Sequence, residues 1–192
     1  AHTARRVGER ALAAVGSAPV LGSASAAALL WLVWRKRWMA AAHWLGAIAV
    51  ALLLTVGVGA LVDMPRPPTA AAGFGFPSIA VTMTTVVFGF FAVLVAREFP
   101  GRQRVWPYLV VGVATALVAF ARLYLGAHWL SDVIAAMLLG VVWLLVLGIA
   151  YRRHSTRSFF IRPLVWVFFG TFALVLGWYA PRSADATLAR FQ

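Results

Sequence analysis

The sequence contains no cysteine, which excludes disulfide bonds, zinc sites built from thiolates and cysteine nucleophiles. It is also poor in charge. Only 11% of its 192 residues are charged and 63% are hydrophobic, whereas a soluble domain is about a quarter charged and roughly half apolar. The net charge of +12 would suggest nucleic acid in a soluble protein. Here the basic residues lie at the ends of apolar runs, where they act as topology signals and contact lipid headgroups. The composition therefore indicates an integral membrane protein with no nucleic-acid partner.

Six apolar runs predict an all-α fold, a polytopic bundle of six transmembrane helices with both termini on the same side. A spanning helix needs about 20 residues, so residues 1–192 are expected to form a single membrane-embedded domain. Residues 1–16 are predicted to form a short interfacial helix. The predicted helices cover residues 18–34, 39–62, 78–96, 106–122, 129–151 and 163–180.

The distribution of positive charge predicts the orientation. Of the 17 Lys and Arg residues, ten fall in the connections 1–2, 3–4 and 5–6, and seven fall on the other side. The positive-inside rule places the first group in the cytoplasm. The 63–77 loop and the 122–132 stretch then lie together on the outer face.

The first polar group is ARLYLGAHWLSD, residues 121–132. His128 and Asp132 are four residues apart, so they share one face of a helix. The carboxylate can accept the proton of one imidazole nitrogen and leave the other nitrogen as a nucleophile. The planar guanidinium of Arg122 can donate two parallel hydrogen bonds to a phosphate or a carboxylate. The alternative interpretation is a structural ion pair of Arg122 with Asp132, together with an interfacial His128.

The second polar group is the loop DMPRPPTAAAGFGFP, residues 63–77, with the serine that follows it. Arg66 lies between prolines that stiffen the backbone, and Gly73 and Gly75 permit close approach to a ligand. Ser78 begins the third helix, where a hydroxyl and free amides form an anion site. The alternative is a plain loop with an N-cap serine.

Taken together, the two groups resemble the type 2 phosphatidic acid phosphatase superfamily of membrane lipid phosphatases. The family's third motif, Ser-Arg-x5-His-x3-Asp, is matched by Arg122, His128 and Asp132, with Ala121 in place of the serine. The spacing and the helices on either side also fit. The resemblance covers helices 2 to 5, and the six-helix topology extends it to most of the chain.

The other two motifs are half matched. In Lys-x6-Arg-Pro, the pair Arg66-Pro67 fits, but Gly59 occupies the lysine position. In Pro-Ser-Gly-His, the pair Pro77-Ser78 fits, but Ile79 and Ala80 replace the glycine and the histidine. Gly59 and Ala80 are therefore degenerate positions.

The resemblance implies roles for the matched residues. His128 would attack phosphorus to form a phosphohistidine, and Asp132 would orient it. Arg66, Ser78 and Arg122 would hold the phosphate, and no metal or cofactor would be required. Several bacterial members act at the periplasmic face on undecaprenyl pyrophosphate, phosphatidylglycerophosphate or lipid A phosphates. The implied location is the bacterial inner membrane, with the site facing the periplasm.

The degenerate positions leave two interpretations open. General acid catalysis is typically worth about 10²–10⁴-fold, and Ala80 cannot supply it. An active enzyme is then expected to prefer a lipid diphosphate, whose phosphate leaving group needs little protonation. The alternative is a pseudoenzyme that binds lipid phosphate or supports a partner domain.

Other residues and functions are weaker candidates. His43 and His154 are predicted at the opposite face, His2 lies in the terminal segment, and Asp63 needs a raised pKa to act as an acid. A transporter with a charge relay is disfavoured because the charges lie near helix ends. Because the chain begins with Ala1 rather than Met, we expect it to be either processed or cut from a longer polypeptide. A fused or associated membrane domain upstream is a candidate partner.

Overall fold

The computed structural model describes residues 14–62, 64, 65, 67, 68, 75–154 and 161–188, with side chains to Arg182 in the last helix. Within these residues the chain forms six α-helices, one 3₁₀ turn and no strand, which confirms the predicted all-α membrane fold. The helices are α1 (Ala18–Trp34), α2 (Trp38–Leu61), α3 (Ile79–Ala96), α4 (Val105–Tyr124), α5 (Leu130–His154) and α6 (Arg162–Leu188). The 3₁₀ turn, Gly101–Arg104, leads into α4.

Charged turns separate apolar helices. The turn Arg35-Lys36-Arg37 divides α1 from α2, and Lys36 adopts a positive φ of 54° that reverses the chain. Five of the described helical segments are long and apolar enough to cross a membrane. The remaining helix, α1, has 17 residues and carries Pro19 in its first turn, where proline costs no hydrogen bond.

The third helix forms the centre of the bundle. In α3, 78% of the apolar 18-residue stretch is buried, against 22% or less in the other four candidate spans. It packs against α2, α4 and α5, whereas α1 packs chiefly against α6. An aromatic cluster of Trp44, Phe90, Phe91 and Phe168 joins α2, α3 and α6, with ring centroids 4.5 to 6.3 Å apart. This cluster fixes the C-terminal half of α3 from one side.

Helices α4 and α5 share α3 as a support but barely touch each other. Gly140 of α5 allows a close approach to α3, because a Cβ at this position would lie 2.8 Å from Cγ2 of Thr85. The two helices therefore splay apart on the lipid side of α3 and leave an open wedge.

The last two helices are longer than predicted. Helix α5 continues to His154 instead of ending near residue 151, so His154 is its last residue and does not lie in the 5–6 loop. Basic residues at a helix C-terminus interact favourably with the helix dipole, which explains the extension. Helix α6 begins at Arg162 and runs past Pro181 to Leu188 instead of ending near residue 180. Most of the predicted interfacial helix, residues 1–13, lies outside the described residues.

Candidate active site

A tight turn between α4 and α5 brings the third-motif residues together. Gly126 follows the end of α4 with φ +63°, a conformation that glycine adopts at little cost. The backbone N–H of Ala127 donates to the carbonyl of Arg122 at 3.1 Å, which closes the turn. The chain then reverses, so that His128 lies just before the first residue of α5, Leu130.

His128 and Asp132 form a buried pair at the start of α5. Nδ1 of His128 lies 3.5 Å from Oδ2 of Asp132, and the two residues are 9% and 1% exposed. The backbone N–H of Trp129 donates to the same carboxylate oxygen at 2.8 Å, which is the reach-back arrangement of a capping box. The predicted alternative, an ion pair of Arg122 with Asp132, is not found, since the ion-pair partner of Asp132 among the described residues is His128.

Ser78 joins the start of α3 to this pair. It is the N-cap residue of α3 and is fully buried, and its backbone N–H donates to the carbonyl of Asp132 at 3.2 Å. Its hydroxyl makes no hydrogen bond to any part of the chain that the structure describes. A buried hydroxyl without a partner costs free energy unless a ligand satisfies it. Ser78 therefore offers a hydrogen-bonding group beside the His128–Asp132 pair.

Arg122 extends toward α1 from the last turn of α4. A Cβ built on Gly16 would lie 3.6 Å from Nη2 of Arg122, so the guanidinium lies beside the segment that leads into α1. Arg122 also lines a cavity of about 420 Å³ between α1, α2 and α3, together with Ala80, Met83 and Ser25. The guanidinium and Ala80 thus border one cavity. Gly59, the other degenerate position, is not among the residues that line it.

Arg66 lies outside the described residues, as do Asp63 and Gly73. The loop is nevertheless attached to the site through its neighbour Pro65, whose carbonyl accepts a hydrogen bond of 3.0 Å from Nε1 of Trp129.

Trp129 is the contributor that the sequence did not reveal. Its backbone supports Asp132 and its indole supports the loop at Pro65, whereas its position at a helix end indicated only an interfacial aromatic. Its place directly after His128 was the available signal.

The other histidines of the described chain lie elsewhere. The ring of His43 is 5.2 Å from the ring of Tyr151 and 6.4 Å from that of His154, near the start of α2 and the end of α5. Both histidines hydrogen-bond to a carbonyl of their own helix at 2.8 Å. They therefore lie at the end of α5 opposite to His128. Among the described residues, no cluster of three or more metal-ligating side chains is present.

Comparisons with known proteins identify a family and relatives that this chain resembles. The model of the PAP2 superfamily matches residues 63–157, which contain both polar groups. The chain is 29% identical over 119 residues to "Putative undecaprenyl-diphosphatase YbjG" of Escherichia coli, covering 59% of this chain and 58% of the relative. It is 29% identical over 87 residues to phosphatidylglycerophosphatase B of Bacillus subtilis, covering 42% and 43%.

A solved structure shares the fold. It is the crystal structure of a transmembrane PAP2 type phosphatidylglycerolphosphate phosphatase from Bacillus subtilis, with a TM-score of 0.54 and 18% identity. The match covers 80% of this chain and 89% of that one, and at this identity it shows the fold alone. The chain spans less than two thirds of the length of either curated relative. The family model assigns residues 63–157, which contain the third motif, to the PAP2 superfamily.

Proposed function

We propose that this protein hydrolyses or transfers phosphate from a lipid phosphate or diphosphate, such as a polyprenyl diphosphate, through a phosphohistidine on His128. The observation that carries the proposal is the buried pair of His128 and Asp132, with the hydroxyl of Ser78 beside it. A relative named for undecaprenyl-diphosphatase activity supports the substrate class. The proposed location is the bacterial inner membrane, with the site facing the periplasm.

The pair is suited to nucleophilic attack. The carboxylate of Asp132 lies 3.5 Å from Nδ1 and favours a proton on that nitrogen, which leaves the lone pair of Nε2 available to phosphorus. In the first step the Nε2–P bond forms and the P–O bond to the leaving group breaks. The bond electrons stay on the leaving oxygen. In the second step water attacks phosphorus, the N–P bond breaks and its electrons return to Nε2. The water loses one proton to bulk solvent, and inorganic phosphate is released.

The phosphate oxygens need donors that are held in place before the reaction. Arg66, Ser78 and Arg122 are proposed for this role. The hydroxyl of Ser78 lacks a partner within the described residues. Trp129 ties the residue before Arg66 to the start of α5, which favours an approach of this arginine to the site.

Ala80 bears on the choice of substrate. An alkoxide that leaves from a phosphate monoester needs a proton, whereas a phosphate that leaves from a diphosphate is stable without one. Among the described residues that line the cavity at Ala80, none is a histidine or a carboxylic acid. We therefore propose that lipid diphosphates are the preferred substrates.

The test is to incubate the purified protein and His128→Ala with a polyprenyl diphosphate labelled in its terminal phosphate. The expected result is released phosphate and an acid-labile phosphoenzyme in the natural protein alone. Phosphatidic acid serves as the monoester control. Hydrolysis of phosphatidic acid at the same rate as the diphosphate would contradict the proposed preference.

The alternative is a pseudoenzyme that binds lipid phosphate or supports a partner domain. The observation that favours it is Ala80 itself, since the described residues that line its cavity include no carboxylic acid or histidine and Arg122 is the one charged residue among them. In the same experiment, this alternative predicts no turnover by either protein, with lipid diphosphate binding retained.

A further inference from the structure

The wedge between α4 and α5 forms a groove of about 480 Å³ on the membrane-facing side of α3. Thr85, Gly89 and Val93 of α3 form its floor. Gly112 of α4 and Leu145 of α5 also line it. A Cβ built on Gly112 would meet nothing within 4 Å, so the absence of a side chain there keeps the groove open. We call this cavity the α4–α5 groove.

The α4–α5 groove is separate from the candidate active site. A small cluster of buried residues, Val81, Ala119, Val133 and Ala136, packs between α3, α4 and α5 directly below the site. All four are less than 5% exposed. Because this cluster closes the interior path, a molecule in the groove does not reach His128 through it.

One end of the groove is basic. Arg152 and Tyr108 line it at the membrane side where ten of the 17 Lys and Arg residues lie. Arg152 forms no ion pair with any carboxylate in the described part of the chain. The walls above it are aliphatic, with Val111, Val141 and Ile149 among them. An occupant that combines an apolar chain with an anionic head matches this distribution.

The length of the groove matches a chain of one leaflet. It follows α5 from Met137 to Arg152, a rise of about 22 Å at roughly 1.5 Å per residue. One leaflet contributes about 15 Å of hydrocarbon, half of a core of about 30 Å. An acyl chain anchored at Arg152 therefore fits along the groove without passing its upper end.

We propose that the α4–α5 groove binds an anionic phospholipid of the cytoplasmic leaflet. One acyl chain lies between α4 and α5, the phosphate lies at the guanidinium of Arg152, and the phenol of Tyr108 lies at headgroup level. This lipid fills the space that α4 and α5 leave between them and so supports α4, which carries Arg122, and α5, which begins just after His128. The proposal is independent of the proposed function, because it involves none of the candidate site residues.

Native mass spectrometry of the protein released from nanodiscs of phosphatidylcholine with a minor fraction of phosphatidylglycerol tests the proposal. The expected result is one tightly retained phosphatidylglycerol. Arg152→Gln is expected to weaken its affinity about five-fold, the effect of one cation near a membrane surface. Arg153→Gln is the matched control, since Arg153 is the next residue of α5 and does not line the groove.

A second pair of variants tests the acyl chain. Leu145→Trp fills the groove from a position that is 62% exposed, so it disturbs no buried packing. It is expected to abolish the tightly bound class of either lipid. Gly57→Leu on α2 is the control, because Gly57 also has open space around it and lies outside the groove. Equal loss in Arg152→Gln and Arg153→Gln, or full retention in Leu145→Trp, would overturn the proposal.

Discussion

Trp129 holds two parts of the candidate site with different atoms. Its backbone N–H keeps the carboxylate of Asp132 in place, and its indole N–H keeps the 63–77 loop attached at Pro65. The side chain is 47% exposed, so its contribution is mainly the hydrogen bond and only in small part burial. The residue positions groups that touch the phosphate and does not itself touch it in the proposed mechanism.

Replacing Trp129 by Phe removes the indole hydrogen bond and keeps the backbone bond. One hydrogen bond is worth about 0.5–1.5 kcal/mol, so we expect KM for a lipid diphosphate to rise about two- to ten-fold with kcat little changed. Steady-state kinetics in detergent micelles measure this split. Trp106→Phe is the control, because Trp106 lies at the other membrane side. An equal effect of both variants would show that general interfacial anchoring is responsible.

Ala80 allows a test of the missing proton donor. The variant Ala80→His restores an imidazole at the position that the family's second motif assigns to the general acid. We expect hydrolysis of phosphatidic acid to rise by about 10²-fold or more, within the range of general acid catalysis, while diphosphate hydrolysis changes little. The measurement is the ratio of the two rates. Ala80→Gln fills a similar volume without a titratable group, and a similar rise in that variant would argue against acid catalysis.

Part of the candidate site could be predicted from residue spacing. A separation of four residues places His128 and Asp132 on one helical face, and the structure pairs them. The direction of Arg122 could not be predicted, because it depends on the approach of Gly16 from a distant segment. The hydrogen bond from the indole of Trp129 could not be predicted either, because its acceptor, the carbonyl of Pro65, is 64 residues away in the sequence.

At the scale of helices, Gly140 decides how closely α5 approaches α3. A Cβ at Gly140 would lie 2.8 Å from Cγ2 and 2.9 Å from Cβ of Thr85, and Thr85 is itself buried. A threonine held by its own backbone hydrogen bond, here to the carbonyl of Val81 at 2.8 Å, has little freedom to move away. The small residue is therefore a packing requirement of this helix pair.

We expect Gly140→Ala to destabilise the fold by about 1–3 kcal/mol, the usual cost of overpacking a well-packed interior. Gly148→Ala on the same helix is the matched control, because its nearest neighbour would be Cγ2 of Val93 at an ordinary 3.8 Å. Thermal unfolding in detergent, followed by loss of the monodisperse peak, compares the two. Equal melting temperatures would contradict the packing argument.

The sequence predicted the helices well where charge interrupts an apolar run, as at Arg35-Lys36-Arg37 between α1 and α2. It predicted the ends of α5 and α6 less well. Hydropathy falls at Arg152, but the backbone hydrogen bonds continue to His154. Hydropathy therefore marks the boundary of the hydrocarbon, and a helix extends beyond it wherever its charged residues reach water.

At the scale of the whole molecule, the lack of cysteine makes the orientation easy to measure. Single cysteines can be introduced without removing others. We expect Met64→Cys to react with a membrane-impermeant maleimide in intact cells, and Gln103→Cys to react only after permeabilisation, because basic residues surround the second position. The two positions are exposed and lie on opposite sides of the predicted topology. Reaction of Gln103→Cys in intact cells would reverse the orientation and place the candidate site in the cytoplasm.

The hydroxyl groups of α3 bear on how the protein is assembled. Helices leave the insertion machinery in chain order, so α3 enters the bilayer before α4, α5 and α6 are present to cover it. Thr84 and Thr85 donate to carbonyls of α3 itself, those of Ala80 and Val81, at 2.7 and 2.8 Å. Their polar atoms are thus satisfied without a neighbouring helix, as lipid requires. The hydroxyl of Thr82, by contrast, donates to the carbonyl of Ala136 in α5 at 3.5 Å, so it gains this partner only when α5 is in place. Two of the three threonines of α3 are therefore satisfied in lipid during synthesis, although α3 is the most enclosed of the five candidate spans in the finished bundle.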